Sequence, residues 1–234
     1  MKLFKKAFQL KETQCTIIAD QEQGIQTAIN SVKQNRKALE EYGKAHPSFL
    51  YTLEPTTAPA EPLVAKLMAE AAAKAAVGPM AAVAGIIADL AVKDMTAIGC
   101  KVAVVENGGE ISATSNTPID VAVVAGEEPL SKRFGFRLTD FPIGIATSSG
   151  RFSHAFSFGD AEAAIIFCKN AGLADAAATA VCNVVKGEEH QAAIQAGINK
   201  AFSIKGVEGV LIVYKGFTGT AGKIPKIIKV NPDT

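Results

Sequence analysis

The run GLADAAATAV, residues 172–181, restricts the fold more than any other stretch of the chain. Alanine is the strongest helix former. After the leading glycine, only Asp175 and Thr179 interrupt the small apolar side chains. Small side chains let a helix lie close to its neighbour, so this helix is expected to pack flush on a sheet. Asp175 and Thr179 are four apart, which stacks them on one helical face, one turn from each other.

The rest of the composition agrees with such layers. Hydrophobic residues make up 48% of the 234-residue chain, enough to bury a substantial core. Charged residues are 20% and balance to a net +1, which gives no footprint for nucleic acid and no acidic tail. Trp is absent and aromatics are only 6%. Cys15, Cys100, Cys168 and Cys182 lie in or beside apolar runs with no C-x-x-C pair, as expected of core thiols in a reducing compartment. MKLFKKAFQL is basic, but it lacks the apolar core of a signal peptide and a lipoprotein cysteine. The longest apolar run, Ala75 to Ala88, contains Gly78-Pro79 and is too short to span a bilayer. A cytoplasmic protein with no membrane partner is expected, and its apolar content makes a homodimer reasonable.

Periodicity gives the order of elements. Two strands flank Lys11-Glu12, with Asp20 placed to cap a following amphipathic helix over 21–44. HPSFLYTLEPTTAPAEP holds four prolines and reads as a loop. Pro62 fits the first position of a second helix, which Gly78-Pro79 breaks; MAAVAGIIADLAV resumes as a third. KVAVV, ISATS, IDVAVVA, RFGFRL, GIATS and EAAIIFC read as strands. The alanine helix over 174–186 and an amphipathic helix over 188–203 follow, and GVLIVY and KIPKIIKV end the chain as strands. The pattern predicts an α+β fold, antiparallel sheet packed against helices, in one continuous domain spanning 1–234.

Four local constellations carry chemistry, each beside a plainer explanation. Asp175 can complement the dipole of its own helix, with Thr179 bonding back to a carbonyl one turn earlier. The pair can equally offer two oxygens to a hard cation such as Mg²⁺. Asn107-Gly108-Gly109-Glu110 is a strong hairpin-turn signal, and its paired glycines also allow a ligand close to the backbone. Thr147-Ser148-Ser149-Gly150 is a hydroxyl-rich turn whose amides can hold phosphate or a flavin edge, or a simple hairpin turn. His154 sits among phenylalanines, where a packed histidine is the commoner outcome. Gly78 and Gly85 bracket a helix start without the lysine of a P-loop.

The order of these elements is more informative than any one. G-P-M-A-A-V-A-G, N-G-G-E-I, T-S-S-G and A-D-A-A-A-T occur in series over residues 77–186. The series resembles the ApbE family of FAD-dependent, Mg²⁺-dependent flavin transferases, which attach FMN to a threonine of target proteins. The resemblance implies a T-fold-like α+β layered domain, and it is closest to a short, uncharacterised cytoplasmic branch. It implies Asp175 and Thr179 as metal-holding residues, with a backbone carbonyl near Pro79 to Ala82 completing the site. It implies Asn107, Gly108, Gly109 and Glu110, with Thr147, Ser148, Ser149 and Gly150, as the turns facing FAD or FMN. Two positions depart from the family. A lysine precedes the second glycine of its helix-start motif, where this chain has Ala84. Its later H-I-x-D-P motif is replaced by SHAFSFGD, with Ser157 at the acid position.

Three readings follow. The favoured one is a protein that binds a flavin or nucleotide phosphate with a divalent cation. The second is an active FAD:protein FMN transferase or FAD pyrophosphatase using His154 or Asp160 as a repositioned acid. The third is a non-catalytic scaffold.

Overall fold

Lys11 turns the chain through the left-handed region (φ 52) and joins β1 (Phe4–Leu10) to β2 (Thr13–Ala19) as an antiparallel hairpin. The computed structural model describes residues 2–122, 134–150 and 159–229. α1 (Glu22–Ala45) follows, burying Ile25, Ala28, Ile29, Val32 and Leu39 along the stripe that its periodicity requires. Asp20 does not cap it. Its carboxylate instead accepts the Lys101 and Val102 N–H groups at 3.2 and 3.3 Å, tying the end of β2 to the start of β3 (Val102–Asn107). At a strand end the nearest unpaired amides belong to the neighbouring strand, and they outcompete the helix.

The proline-rich stretch contains a short helix that the loop reading misses, α2 (Pro47–Tyr51), anchored by buried Phe49. Pro62 precedes α3 (Leu63–Ala75) as its cap residue instead of opening the helix. A 3₁₀ turn (Pro79–Ala82) then leads into α4 (Val83–Ala97). The middle of the chain supplies β4 (Glu110–Ser115), β5 (Ile119–Ala122), β6 (Phe134–Leu138), β7 (Ile143–Ser148) and β8 (Ala163–Cys168). α5 (Ala171–Val184) and α6 (His190–Ser203) precede β9 (Val207–Tyr214), β10 (Phe217–Gly222) and β11 (Lys226–Lys229). β10 is another element absent from the sequence reading. Its Gly/Thr-rich FTGTAG has no apolar alternation, and it forms because Lys215-Gly216, both at positive φ, fold it back on β9.

Eight strands form one antiparallel sheet in the order β1-β2-β3-β4-β7-β8-β9-β10, and β11-β6-β5 form a second. The helices cover one face of the large sheet, and the small sheet packs on the other. Central strands are therefore buried on both sides and carry unbroken apolar runs, as in AAIIFC of β8. Their two faces differ in size. Ile145, Ile165 and Phe167 face the small sheet, whereas Ala103, Ala146 and Ala164 face the helices. Small residues on both sides of that contact bring alanine-rich α5 down onto the sheet. Among the described residues no single helix is long and apolar enough to cross a membrane.

α4 and α5 meet at their N-terminal turns, and each caps the other. Asp89 of α4 accepts the Ala171 N–H at 2.9 Å and the Gly172 N–H at 2.8 Å, and Asn170 accepts the Leu173 N–H at 2.9 Å. The first three amides of α5, which have no partners inside the helix, are thereby satisfied. Asp175 of α5 returns the contact by accepting the Gly85 N–H of α4 at 3.0 Å. Two glycines allow the approach. A Cβ on Gly85 would lie 2.3 Å from the Ala171 carbonyl oxygen, and one on Gly172 would lie 2.1 Å from Ile86 Cδ1.

Asp89→Asn should therefore cost about 2–3 kcal/mol, because an amide N–H₂ would face a helix amide. Calorimetry should show a Tm lower by about 4–12 °C, and an unchanged Tm would refute the capping role. Gly85→Ala should lower Tm more than Gly172→Ala. The first collides with backbone, the second with the end of a side chain that can turn away.

Candidate functional site

The hairpin between β3 and β4 is closed by Gly108 (φ 68) and Gly109 (φ 115), both positive as a type I′ turn demands. This sets Asn107 directly opposite Glu110. The Gly108 N–H donates to the Gln14 carbonyl at 2.9 Å, fixing the turn to the β1–β2 hairpin. Asn107 lies on the helix-covered face. Its Nδ2 donates to the Ala84 carbonyl at 3.0 Å, and Cys15 Sγ donates to its Oδ1 at 3.6 Å. The Asn-Gly-Gly turn is thus bolted to the start of α4, beside the amide that Asp175 accepts.

Asp175 is only partly accessible, and burial pushes its pKa up to about 7. The amides of Gly85 and Ala84 oppose that rise, and the charge of Asp89 adds to it. Glu110 is 9% exposed. Burial raises its pKa well above the usual carboxylate range, the charge of Asp175 raises it further, and Glu106 adds to the effect. The two carboxylates therefore act on one another, and neither forms an ion pair among the described residues. Thr179, one turn along α5, is 8% exposed, and its hydroxyl makes no hydrogen bond among the described residues. The expected bond back to the Asp175 carbonyl is not formed.

β7 brings the hydroxyl turn to the same end of the sheet. Register with β4 pairs Ile111 with Ile145, so β7 runs past the Asn-Gly-Gly turn toward Ser148. Ser148 shares the helix-covered face with Ala146, and Ser148 and Ser149 are both buried. Gly150 donates its N–H to the Ala161 carbonyl at 3.0 Å. Thr147 is not brought to Asp175. The two-residue period of β7 places it with Ile143 and Ile145 on the opposite face, where its Oγ1 is buried without a partner.

Asp160 is exposed, and its N–H donates to the Val185 carbonyl at 2.9 Å, beyond the C-terminal end of α5. That end lies roughly 15 Å of helix rise from Asp175. His154 and Ser157 fall outside the described residues. All four cysteines are buried and none is in a disulfide among the described residues. Burial pushes the Cys15 and Cys168 thiols up to about 12, so neither is a nucleophile at neutral pH. A cavity of about 150 Å³ lies elsewhere, between the sheets, with Asp140, Lys169 and Lys223 on its rim already joined in ion pairs.

Two contributing residues escape the motif reading, Asp89 and Ser112. Ser112 Oγ donates to Asp89 at 2.7 Å, joining β4 to the α4–α5 contact. A signal for Asp89 does exist, since Ala84-Gly-Ile-Ile-Ala-Asp89 echoes Ala171-Gly-Leu-Ala-Asp175. Among the described residues no three His, Cys, Asp or Glu side chains form a metal-binding group. The available donors are instead carboxylate, hydroxyl and carbonyl oxygens, a set that suits a hard cation with water completing its shell.

Comparison with known proteins places this arrangement. The family described as AbpE bacteria matches residues 3–204. A UPF0280 protein of Methanopyrus kandleri is 38% identical over 225 residues, covering 94% of this chain and 91% of its own. One from Methanosarcina acetivorans is 39% identical, covering 96% and 89%. Among solved structures, the flavinyl transferase ApbE of Pseudomonas stutzeri in its apo form superposes with a TM-score of 0.64 at 14% identity, covering 94% of each chain. The ApbE protein of Thermotoga maritima gives 0.59 at 13% identity, covering 98% and 97%. With its fold, its motif order and these relatives in agreement, the chain belongs to the ApbE-like superfamily, in the family described as AbpE bacteria, and is a relative of the UPF0280 proteins.

Proposed function

We propose that the protein binds a flavin or nucleotide phosphate together with a divalent cation, Mg²⁺ being the natural candidate. The observation that carries this reading is the Asp175–Thr179 pair. The Asp175 carboxylate, with no ion pair among the described residues, stands one turn from the Thr179 hydroxyl, which has no hydrogen bond among them, and one hard cation would draw on both oxygens. A backbone carbonyl from Pro79 to Ala82 would complete the protein's share of the ligands. A cation held there would polarise a phosphoryl oxygen of the ligand. The Asn107–Glu110 turn and Ser148, Ser149 and Gly150 would face the flavin or nucleotide. Nothing lies within 4 Å of a Cβ position on Gly109, so a ligand can approach the bare backbone there. Thr147 faces the other way and takes no part in this reading.

Transfer of FMN or hydrolysis of FAD is supported less well than binding. Ala84 offers no charge where the resemblance has a lysine, and Asp160 lies far from Asp175. Incubation with FAD and Mg²⁺ decides between them. Intact FAD with a raised Tm supports binding alone, whereas AMP release that depends on Asp175 supports catalysis. A scaffold role predicts neither effect.

Saturating FAD or ADP with Mg²⁺ should raise Tm by about 5–10 °C at a hundred times Kd. Asp175→Asn and Thr179→Val should each abolish the Mg²⁺-dependent part. Absence of a shift with FAD, FMN and ADP alike would refute the reading.

The raised pKa of Asp175 gives a second test with a defined sign. Between the ordinary value of 3.8 and about 7 the folded state holds a proton that the unfolded state has lost. For this group stability of the cation-free protein falls as pH rises through that window. Cation binding requires the carboxylate, so affinity for Mg²⁺ should climb from pH 6 to pH 8. Asp175→Asn should flatten the pH dependence of Tm, and a wild-type profile in that variant would contradict the assignment.

A further inference from the structure

We infer that β10 is the contact strand of a homodimer, pairing antiparallel with β10 of a second copy about a twofold axis at Gly219. The large sheet ends in β1 on one side and in β10 on the other, and among the described residues neither outer edge meets another strand. The two edges are guarded differently. β1 carries Lys5 and Lys6, both exposed, and charged side chains of this kind keep foreign strands from adding to an edge. β10 has neither a charge nor a proline. Its pairing with β9 begins at Phe217 opposite Tyr214 and continues to the Lys223 N–H, which donates to the Glu208 carbonyl at 2.7 Å. Antiparallel alternation then turns the backbone N–H and C=O groups of Thr218 and Thr220 outward, to the open edge.

The residues along that edge select a second copy as its occupant. Lys215-Gly-Phe-Thr-Gly-Thr-Ala-Gly-Lys223 is a palindrome about Gly219, except that Phe217 mirrors Ala221. In a self-complementary contact about a twofold axis, a palindrome sets equal residues opposite one another. Thr218 faces Thr220 of the second copy, and the two exchange both backbone hydrogen bonds as a favourable Thr–Thr cross-strand pair. Phe217 faces Ala221, large against small. Lys215 faces Lys223, but each is already answered within its own chain, by Glu188 and by Asp140. α6 supports the same axis because it runs along β10. A Cβ on Gly219 would lie 2.2 Å from Ile194 Cγ2, and the His190 ring stacks on Phe217 with centroids 3.7 Å apart. A twofold axis perpendicular to the sheet therefore sets two copies of α6 side by side. From Gln191 to Ser203 the one charged residue is Lys200, and its Nζ donates to the Ala75 carbonyl at 3.3 Å. Phe202 and Phe217, 46% and 51% exposed, lie on this edge. Depletion of charge and enrichment of aromatic rings mark the centre of protein–protein contacts.

The test is sedimentation equilibrium of the full chain over a concentration series. Wild type should be a dimer. Thr220→Pro removes an outward N–H without touching the ladder to β9, and should give a monomer with the circular dichroism of wild type. Thr218→Lys combined with Thr220→Lys alters two exposed positions and sets like charges opposite each other twice, which should weaken the dimer about tenfold or more. Thr218→Lys combined with Thr220→Glu alters the same two positions but sets opposite charges face to face, and should dimerise at least as tightly as wild type. A wild type that is monomeric throughout would overturn the inference, as would a dimer that survives Thr220→Pro. Equal weakening by the two double variants would overturn the pairing about Gly219.

Discussion

The exchange of carboxylates between α4 and α5 organises the molecule. Asp89 satisfies the first amides of α5, and Asp175 satisfies one of the first amides of α4. Because each helix supplies the cap of the other, neither N-terminal turn can shift without leaving buried amides unpaired. Ser112 extends the tie to β4, and Asn107 extends it to the β3–β4 turn. The positions of Asp175, Glu110 and the Ala84 carbonyl are therefore consequences of one packed junction. Gly85 lets the helices approach because a Cβ there would meet the Ala171 backbone, and Gly172 leaves room for the Ile86 side chain.

That junction also resolves the two explanations of Asp175 read from sequence. The plain one has it complement its own helix. It serves a helix instead, but the neighbouring one: the Gly85 N–H donates to Oδ2, and the Ala84 amide adds to the support of the carboxylate. The plain explanation of Thr179, a bond back along α5, is not realised among the described residues.

Much of this was legible in the chain. The alanine run predicted a helix close to the sheet, and Asn107-Gly108-Gly109 predicted its turn with both glycines at positive φ. The order of motifs predicted the family. Other features depend on tertiary partners that local patterns do not encode. Asp20 has the chemistry of a helix cap but is taken by strand amides. β10 is carried by its turn and by β9, against its own weak alternation. Thr147 belongs to a hydroxyl-rich motif, yet strand period turns it to the far face, since a motif fixes order along the chain and the pleat fixes direction. Asp89 is marked in the sequence only by the echo of Ala171–Asp175 in Ala84–Asp89, because its partners are backbone amides some eighty residues away.

The central claim is that Asp175 and Thr179 meet on a divalent cation. Crystals grown with Mn²⁺ and measured for anomalous scattering test it directly. The account predicts a peak at about 2.1–2.3 Å from a carboxylate oxygen of Asp175 and from Thr179 Oγ1, with the Gly85 N–H still bonded to Oδ2. A peak elsewhere, or a Thr179 hydroxyl found bonded to the Asp175 carbonyl with no ion nearby, would contradict it.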